Sequence, residues 1–462
     1  MNLAFIDYSF IVVYMFGILA LGLWSMKRGK SDEDYLLAGR KLTLPAMVMS
    51  LVTTWYGAIL GVGELIFGYG IVGWVTQGLL WYVVYLLFAL MMAKKVKNSQ
   101  KITIADHLME KSGKKSAFVG TILTYIMASP APYILSLGVV IDMIFGIGLF
   151  LSILIGSLIS GIYIWSGGFR SVVRVDGLQF VLMYFGFGAL LIGTIINYGD
   201  VSFFVNKLPP THLTFTGELP ILTIAAWGLM ALWTLVDPDF FQRCYASGSD
   251  KIARNGILWS ILFWFIFDML TLITGLYATA AFPNADPTNI YFVLADNVLP
   301  HAIKGIFCVS VLAIIMSTMD SFLFTSGTIM GKDVLGIIYP KVRLKKLSRI
   351  GIIITLVVSL VFIILFKSVI GIIYVIGTLG VSALLVPVLL AIFSKQKMND
   401  NMVLSGMLAA LTVSIVWLIG GWINSIEGWP QYWFGIDPMY VGLAASLIVY
   451  ILTRKSLFTN RD

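Results

Sequence analysis

Residues 49–74 read MSLVTTWYGAILGVGELIFGYGIVGW, and this stretch decides the fold. Crossing the hydrocarbon core of a bilayer takes about 20 predominantly apolar residues, and this run is long enough to do so. At its mid-depth the apolar run is interrupted by Thr-Thr-Trp-Tyr-Gly at residues 53–57. A glycine and polar side chains at the centre of a membrane helix are tolerated where the helix is unwound. We therefore predict a span that is broken in its middle.

A second interruption lies five spans further along the chain. The apolar segment 219–241 contains Trp233, Thr234, Asp237 and Pro238. The two interrupted spans would cross the membrane in opposite directions, which is what an inverted repeat of five plus five helices gives. Unwound helices of this kind present free carbonyls and helix ends to ions and solutes in membrane transporters. The alternative is that glycine and proline are simply more frequent in membrane helices.

The composition of the chain excludes an ordinary soluble domain. Of its 462 residues 59% are hydrophobic and 12% are charged, and the mean hydropathy is +0.93. Soluble domains carry about 25% charged residues. The two cysteines, Cys244 and Cys308, form no disulfide framework or metal motif, and we interpret them as unpaired thiols in helices.

The apolar runs predict roughly thirteen membrane spans. Their approximate bounds are 4–26, 43–68, 71–93, 117–146, 149–166, 176–197, 219–241, 255–282, 302–330, 348–366, 368–394, 402–424 and 439–453. Of the 31 Lys and Arg residues, all but Lys207, Lys304 and Lys367 fall in alternate connecting segments. Because cytoplasmic loops are enriched in Lys and Arg, we predict a multi-pass protein of the plasma (inner) membrane with its N-terminus outside and its C-terminus in the cytoplasm.

Acidic residues at bilayer depth are costly and are therefore functional candidates. The candidates are Glu64, Asp142, Asp176, Asp237, Asp268 and Asp320. Asp142, Asp176 and Asp237 lie near predicted span ends, where a capping role is the alternative, whereas Asp268 and Asp320 lie well inside apolar runs. We find no Lys or Arg deep in any predicted span. Buried acids without buried bases suggest that a cation supplies the balancing charge, whether sodium, a proton or an amine-bearing solute.

The segment LAIIMSTMDSFLFTSG at 312–327 carries the clearest pattern of polar side chains. Ser317, Asp320 and Ser321 are spaced i, i+3 and i+4, so they share one helix face, and Thr318 lies beside them. Hydroxyl and carboxylate oxygens suit a hard cation. The alternative is that the hydroxyls bond back to carbonyls of their own helix, which would leave Asp320 unexplained.

Aromatic residues are abundant near both interruptions. They are Trp55, Tyr56, Trp74, Trp81, Trp227 and Trp233. They could form a cation–π site for an ammonium group, or they could serve packing and the interfacial belt. Pro130 and Pro132 predict a kink in the fourth span.

Six segments together resemble the sodium:solute symporter family. They are SDEDYLLAGRKL (31–42), residues 49–74, ITIADHL (102–108), GGFRSVVRVDGLQ (167–179), DPDFFQRCYAS (237–247) and LAIIMSTMDS (312–321). Their order and spread over about 300 residues make the resemblance specific, whereas the tail from residue 350 agrees in hydropathy alone.

The resemblance implies an all-α polytopic membrane protein with a LeuT-type fold, in which a five-plus-five inverted repeat has one extra N-terminal and two extra C-terminal helices. We predict one transporter domain over residues 1–462. Its parts are an N-terminal helix and loop (1–41), a first repeat (42–197), a second repeat (219–394) and two C-terminal helices (395–462).

The resemblance also implies a sodium site. At the matching positions stand the carbonyls of Thr53, Tyr56 and Ile314 and the hydroxyls of Ser317 and Thr318. A second sodium site, present in some members, would match Asp176, Ser317, Asp320 and Ser321. Asp320 departs from the serine expected there, so this second site could take a proton instead.

The family's solute-binding positions can be matched to this sequence less directly than its sodium ligands. By position, the central cavity would be lined by Thr54, Trp55, Gly57, Gln77, Ser129, Trp233, Thr234 and Asp268. The expected solute is an amino acid, an amine or another neutral or zwitterionic nutrient. We expect sodium as the coupling ion, no organic cofactor and no nucleic-acid partner.

These inferences predict a secondary active transporter that imports a small organic solute with sodium by alternating access. A proton-coupled carrier of the same fold, using Asp320 or Asp176, is the alternative. A membrane enzyme lacks support because the sequence shows no metal cluster, Cys/His pair or nucleotide motif. A channel would need a filter-like repeat, and a sensor would usually need a fused signalling domain.

Overall fold

The fold is described from a computed structural model, which describes residues 1–24, 31–365, 369–425 and 430–458. Regular structure in these ranges is helical, apart from two isolated β-bridges, Leu42–Ser247 and Met398–Phe458. The all-α prediction is confirmed.

In its described residues, the first half of the chain forms ten helices of six residues or more. They are α1 (Phe5–Trp24), α2 (Asp32–Leu37), α3 (Leu44–Thr53), α4 (Ile59–Tyr69), α5 (Ile71–Asn98), α6 (Ile104–Lys111), α7 (Lys114–Met127), α8 (Ala131–Phe145), α9 (Leu149–Gly167) and α10 (Phe169–Tyr198).

The described part of the second half contains nine more α-helices of that length, apart from the 3₁₀ segment described below. They are α11 (Ile221–Met230), α12 (Pro238–Ala246), α13 (Asp250–Ala281), α14 (Ile290–Val298), α15 (Ile303–Ile329), α16 (Leu344–Leu365), α17 (Val369–Phe393), α18 (Asp400–Ile423) and α19 (Pro438–Leu452).

Eleven helical segments in the described ranges are long and apolar enough to cross a membrane. The predicted spans 43–68 and 439–453 correspond to shorter apolar helices, α3 with α4 and α19 respectively. A multi-pass membrane protein is therefore confirmed, and the count of thirteen stays a prediction. The bounds of the two repeats, 42–197 and 219–394, also stay a prediction.

Both predicted interruptions are breaks in the structure. The first separates α3, which ends at Thr53, from α4, which begins at Ile59. In the second, a 3₁₀ segment (Ala231–Val236) follows α11, and Asp237 is extended with φ −72° and ψ 117°. The Oδ1 atom of Asp237 accepts hydrogen bonds from the backbone nitrogens of Asp239 (2.7 Å) and Phe240 (3.2 Å). Asp237 thus caps α12, and Pro238 follows at the first helical position, where it costs no hydrogen bond.

The prolines of the fourth span produce more than the predicted kink. Helix α7 ends at Met127 and α8 begins at Ala131, so the span is broken. Pro130 precedes α8 and Pro132 lies in its first turn. A proline there lacks the N–H that would continue the preceding helix, and it fits the start of the next one.

Helix α15 lies at the centre of the bundle. Its residues from Phe307 to Ile329 are buried, which is unusual for a helix with so many hydroxyl groups. It packs closely against α10, because a Cβ on Gly186 of α10 would lie 2.1 Å from the Ser310 hydroxyl. Helix α10 begins at Phe169 rather than at residue 176 as predicted. Asp176 is therefore about two turns inside a helix that faces α15, and not at a span end.

Candidate functional site

The break between α3 and α4 meets α15 at three of the predicted sodium ligands. The hydroxyl of Thr318 lies 3.4 Å from the carbonyl oxygen of Thr53 and 3.3 Å from that of Ile314. Gly57 makes this approach possible, since a Cβ there would lie 2.6 Å from the Cβ of Thr318 and 2.5 Å from the ring of Tyr133. The contact with Ile314 is a back-bond from i to i−4 within α15, the alternative given above for these hydroxyls, whereas the Thr53 carbonyl comes from the break. A carbonyl freed by a helix break and a hydroxyl are suitable oxygen ligands for a hard cation.

The two remaining predicted ligands lie at the edges of this group. The carbonyl of Tyr56 lies in the break and accepts a hydrogen bond from the backbone nitrogen of Ile59 at 2.9 Å. The hydroxyl of Ser317 donates to Oδ1 of Asp176 at 2.7 Å. Ser317 therefore connects the helix break to the buried carboxylate of α10.

Asp176 belongs to a buried polar cluster that is centred on Arg243. Nη2 of Arg243 donates to the hydroxyls of Ser321 (2.5 Å), Thr54 (2.9 Å) and Ser50 (3.1 Å). It also lies 4.0 Å from Oδ2 of Asp176, which accepts a hydrogen bond from Ser50 at 2.5 Å. The guanidinium group therefore lies among the side chains of α3, α10 and α15.

Arg243 corrects the prediction that no base lies deep in a span. The sequence placed it in the cytoplasmic segment 242–254, but its side chain is fully buried. Its position follows from the Asp237 cap, which starts α12 inside the bundle. Its Nη1 atom donates to Asp239 at 2.7 Å, and Asp239 in turn accepts from Thr325 of α15 at 2.6 Å. A charged side chain is seldom fully buried unless it is paired, and Arg243 is paired with Asp239 and Asp176.

Asp320 does not join the Arg243 cluster. Its Oδ2 atom accepts a hydrogen bond from the hydroxyl of Tyr163 in α9, and its Oδ1 atom has no hydrogen-bond partner among the described residues. Of the four predicted second-site residues, the structure connects Asp176 to Ser317 directly and to Ser321 through Arg243. Asp320 lies with α9 instead.

The central cavity, of about 110 Å³, lies on the α4 side of the break. Its lining residues are Trp55, Ala58, Gly61, Val62, Leu65, Gln77, Trp81, Tyr133, Trp227, Met230, Trp233, Phe322, Ile373 and Tyr374. A second cavity of about 70 Å³ shares Trp55, Ala58, Val62 and Gln77 with the first and adds Asp268. The two cavities therefore adjoin at the helix break.

Four of the eight predicted solute residues line these cavities, namely Trp55, Gln77, Trp233 and Asp268. The other four lie elsewhere. Thr54 belongs to the Arg243 cluster and Gly57 packs against Thr318. Ser129 lies at the α7–α8 break, where its hydroxyl accepts from the backbone nitrogen of Ala131 at 3.4 Å, and Thr234 is buried in the 3₁₀ segment.

Sequence reasoning missed three tyrosines that shape the cavities, one of which is Tyr133, a lining residue of the central cavity. Tyr82 donates its hydroxyl to Asp268, and Tyr374 lines the central cavity. A buried carboxylate needs donors, so Asp268 signalled that partners exist. Nothing in the sequence shows which of the 20 tyrosines they are.

The profile of the sodium:solute symporter family matches residues 35–410. The chain belongs to the sodium:solute symporter family. Among its relatives, a sodium/pantothenate symporter of Haemophilus influenzae is 27% identical over 372 residues, which cover 76% of each chain. A sodium/proline symporter of Escherichia coli K12 is 23% identical over 456 residues, or 92% of this chain and 90% of the relative.

Solved structures of other transporters have a similar fold. A Na⁺-coupled sialic acid symporter in a substrate-bound outward-open state superimposes with a TM-score of 0.82 at 17% identity, and all of both chains is covered. Mhp1 in an inward-facing conformation gives 0.54 at 12% identity over 88% of this chain and 90% of that one. The LeuT-type fold is confirmed, and the protein is a membrane transporter of the family rather than an enzyme.

Proposed function

We propose that this protein imports a small organic solute together with sodium by alternating access. The observation that carries the proposal is the meeting of the Thr53 and Ile314 carbonyls with the Thr318 hydroxyl at the helix break. The solute is an amino acid, an amine or another neutral or zwitterionic nutrient, and it occupies the adjoining cavity. Sodium is the coupling ion, as the names of the relatives state for those proteins.

The position of the cavities relative to the break indicates the side from which the solute enters. In the orientation predicted from the Lys and Arg distribution, α4 faces the outside of the plasma membrane and the C-terminus lies in the cytoplasm. The central cavity would then be reached from outside. The ring of Phe240 packs against Trp55 (5.9 Å between centroids) and Tyr85 (5.5 Å), and in this proposal these three rings close the path toward the cytoplasm. Sodium drives the cycle by binding this arrangement more tightly than the inward-facing one.

The energy available per sodium ion suffices for concentrative uptake. One charge moving down a 100 mV potential releases about 2.3 kcal/mol. A tenfold sodium gradient adds about 1.4 kcal/mol. Together they support roughly 500-fold accumulation of a neutral solute for each sodium ion coupled.

The charges of the Arg243 cluster favour one sodium ion per cycle. The guanidinium group forms ion pairs with two carboxylates, Asp176 and Asp239, so these three groups carry one net negative charge when both carboxylates are ionised. A single sodium ion beside Thr318 would balance it, because Ser317 connects that position to Asp176. A second ion would need the hydroxyl oxygens of Ser321 and Thr54 as ligands, but both already accept hydrogen bonds from Arg243.

The substitution Thr318→Val tests the sodium site directly. It keeps the volume of the side chain and removes the hydroxyl ligand, so the sodium concentration for half-maximal effect should rise about tenfold, equivalent to about 1.4 kcal/mol. The measurement is thermal stabilisation of the purified protein by NaCl relative to KCl, which reports binding to the folded state.

Thr328→Val is the matched control. Thr328 lies in the same helix, is buried, and its hydroxyl has no hydrogen-bond partner among the described residues. It should leave the sodium dependence unchanged. An equal sodium response in Thr318→Val and in the unsubstituted protein would rule out Thr318 as a ligand.

The coupling ratio is the next expected result. Proteoliposomes that contain the protein should show a reversal potential for solute flux that corresponds to one sodium ion per solute molecule. The measurement sets known sodium and solute gradients and finds the voltage at which net flux is zero. A ratio of two would mean that Asp176 and Ser321 accept a second ion despite Arg243.

Proton coupling is the second candidate, and one observation favours Asp320 over Asp176 for it. Asp320 is fully buried and the residues described give it no basic partner, whereas Asp176 has Arg243 and two hydroxyls. Such a carboxyl group is stable when it holds a proton. Uptake that persists without sodium, follows a pH gradient and is lost in Asp320→Asn would select this mechanism.

A further inference from the structure

The second cavity contains a carboxylate without a basic partner. Asp268 of α13 is half-buried and reaches the cavity. Its Oδ1 atom accepts from the hydroxyl of Tyr56 at 2.7 Å, and its Oδ2 atom accepts from the hydroxyl of Tyr82. No Lys, Arg or His of the described ranges forms an ion pair with it. The two tyrosines fix the orientation of the carboxylate and leave lone pairs for a further donor.

Aromatic rings surround the accessible side of this carboxylate. Trp55, Tyr56 and Trp74 line the same cavity as Asp268. Gly78 keeps the space between Asp268 and Trp74 open, since a Cβ there would lie 2.6 Å from Oδ2 of Asp268 and 2.7 Å from Cδ1 of Trp74. A carboxylate in a cavity lined by indole rings is an environment that attracts an ammonium group, by charge and by cation–π contact.

The adjoining central cavity offers hydrogen-bond donors instead of acceptors. Nε1 of Trp233 and Nε2 of Gln77 are buried and have no hydrogen-bond partner among the described residues. Trp233 is 5% exposed, and both residues line the central cavity. Buried donors are normally paired with an acceptor. We therefore expect the solute to carry an acceptor for these two nitrogen atoms. Gln77 lines both cavities, so one small molecule can contact both groups.

We propose that the solute carries a positively charged amine, which Asp268 holds beside Trp55 and Trp74, and a hydrogen-bond acceptor, which Trp233 and Gln77 bind. The inference rests on the proposed function, because it names the class of solute for the same transport cavity. Sugars and simple carboxylates lack the ammonium group that this carboxylate requires.

The test is a screen for thermal stabilisation of the purified full-length chain in NaCl and in KCl. One set of probes, called the amine set, carries an amine or a quaternary ammonium group together with a hydrogen-bond acceptor, namely the 20 standard amino acids, glycine betaine and choline. The other set lacks a charged nitrogen, namely glucose, pantothenate, lactate and 3,3-dimethyl-1-butanol, which is the uncharged isostere of choline. Stabilisation is expected from the amine set, and removing the charged nitrogen of a bound compound should weaken its binding roughly 100-fold.

Two variants test whether the amine binds in this cavity. Asp268→Asn should weaken binding of the amine roughly 100-fold, and Gly78→Ala should also weaken it by filling the space beside the carboxylate. Asp142→Asn is the matched control, since Asp142 caps a turn at the end of α8 by accepting from the backbone nitrogen of Gly148. Stabilisation by sodium alone should persist in all three, which shows that they fold.

The outcomes separate the two proposals. Sodium-dependent binding of a compound without an amine, a bound amine that is unaffected by both cavity variants, or no binding from the amine set would overturn the inference and leave sodium symport standing. Binding of an amine that requires Asp268 but is indifferent to sodium would support the inference and contradict the proposed coupling.

Discussion

Replacing Arg243 with glutamine should destabilise the protein more than any other polar substitution considered for the bundle. The change leaves Asp176 and Asp239 without their guanidinium partner, and removing one member of a buried ion pair costs about 3–5 kcal/mol. It also removes donors to Ser50, Thr54 and Ser321, which join α3 to α15. The measurement is unfolding of the protein in dodecyl maltoside by titration with SDS.

Arg254→Gln provides the matched control for this prediction. Arg254 lies in the first turns of α13, is exposed, and bonds to its neighbour Asn255 at 3.2 Å. Its substitution should change the free energy of unfolding by less than about 0.5 kcal/mol. The double variant Arg243→Gln with Asp239→Asn should recover part of the loss, because it removes one unbalanced charge. A single variant as stable as the control would show that Arg243 does not hold these helices together.

Adding one methyl group at Gly57 should strongly weaken sodium binding. In Gly57→Ala the new Cβ would lie 2.6 Å from the Cβ of Thr318 and 2.5 Å from the ring of Tyr133, closer than real side chains approach. The break must then move away from α15, which separates the Thr53 carbonyl from the Thr318 hydroxyl. Overpacking of this kind costs about 1–3 kcal/mol, and most of it should appear as a sodium requirement raised at least about tenfold.

Gly68→Ala distinguishes this effect from a general loss of helix flexibility. Gly68 lies in α4, and a Cβ there would meet no atom within 4 Å. The sodium titration of Gly68→Ala should therefore overlay that of the unsubstituted protein. If Gly57→Ala also overlays it, the close contact between the break and α15 is not what positions the sodium ligands.

The Arg243 and Gly57 predictions both concern contacts of the unwound segment between α3 and α4. The break between α3 and α4 provides the Thr53 carbonyl for the ion, the Thr54 hydroxyl for Arg243 and the Trp55 ring for both cavities. Ion, structural charge and solute thus depend on neighbouring residues of one unwound segment. Because a shift of this segment changes all three sets of contacts, it is well placed to couple sodium binding to closure around the solute.

The sequence by itself determined the membrane class, the family and the places where helices break. These features depend on local properties: an apolar run long enough for the bilayer, a glycine or proline at mid-depth, and motifs such as LAIIMSTMDS in family order. It also brought Thr53, Ile314 and Thr318 into one hypothesis, because the resemblance aligned two segments that are distant in the chain.

The tertiary structure alone decided which buried charges have partners. Arg243 was predicted in the cytoplasmic segment 242–254, yet its guanidinium group lies among Asp176, Asp239 and Ser321. Asp320 and Ser321 are adjacent in sequence but contact different helices, and Asp268 finds its donors in Tyr56 and Tyr82, 212 and 186 residues away. Such pairings depend on how each helix is rotated and how closely it packs, and one residue along a helix turns a side chain by about 100°. Hydropathy and motif spacing locate a helix in the bilayer, but they do not fix that rotation.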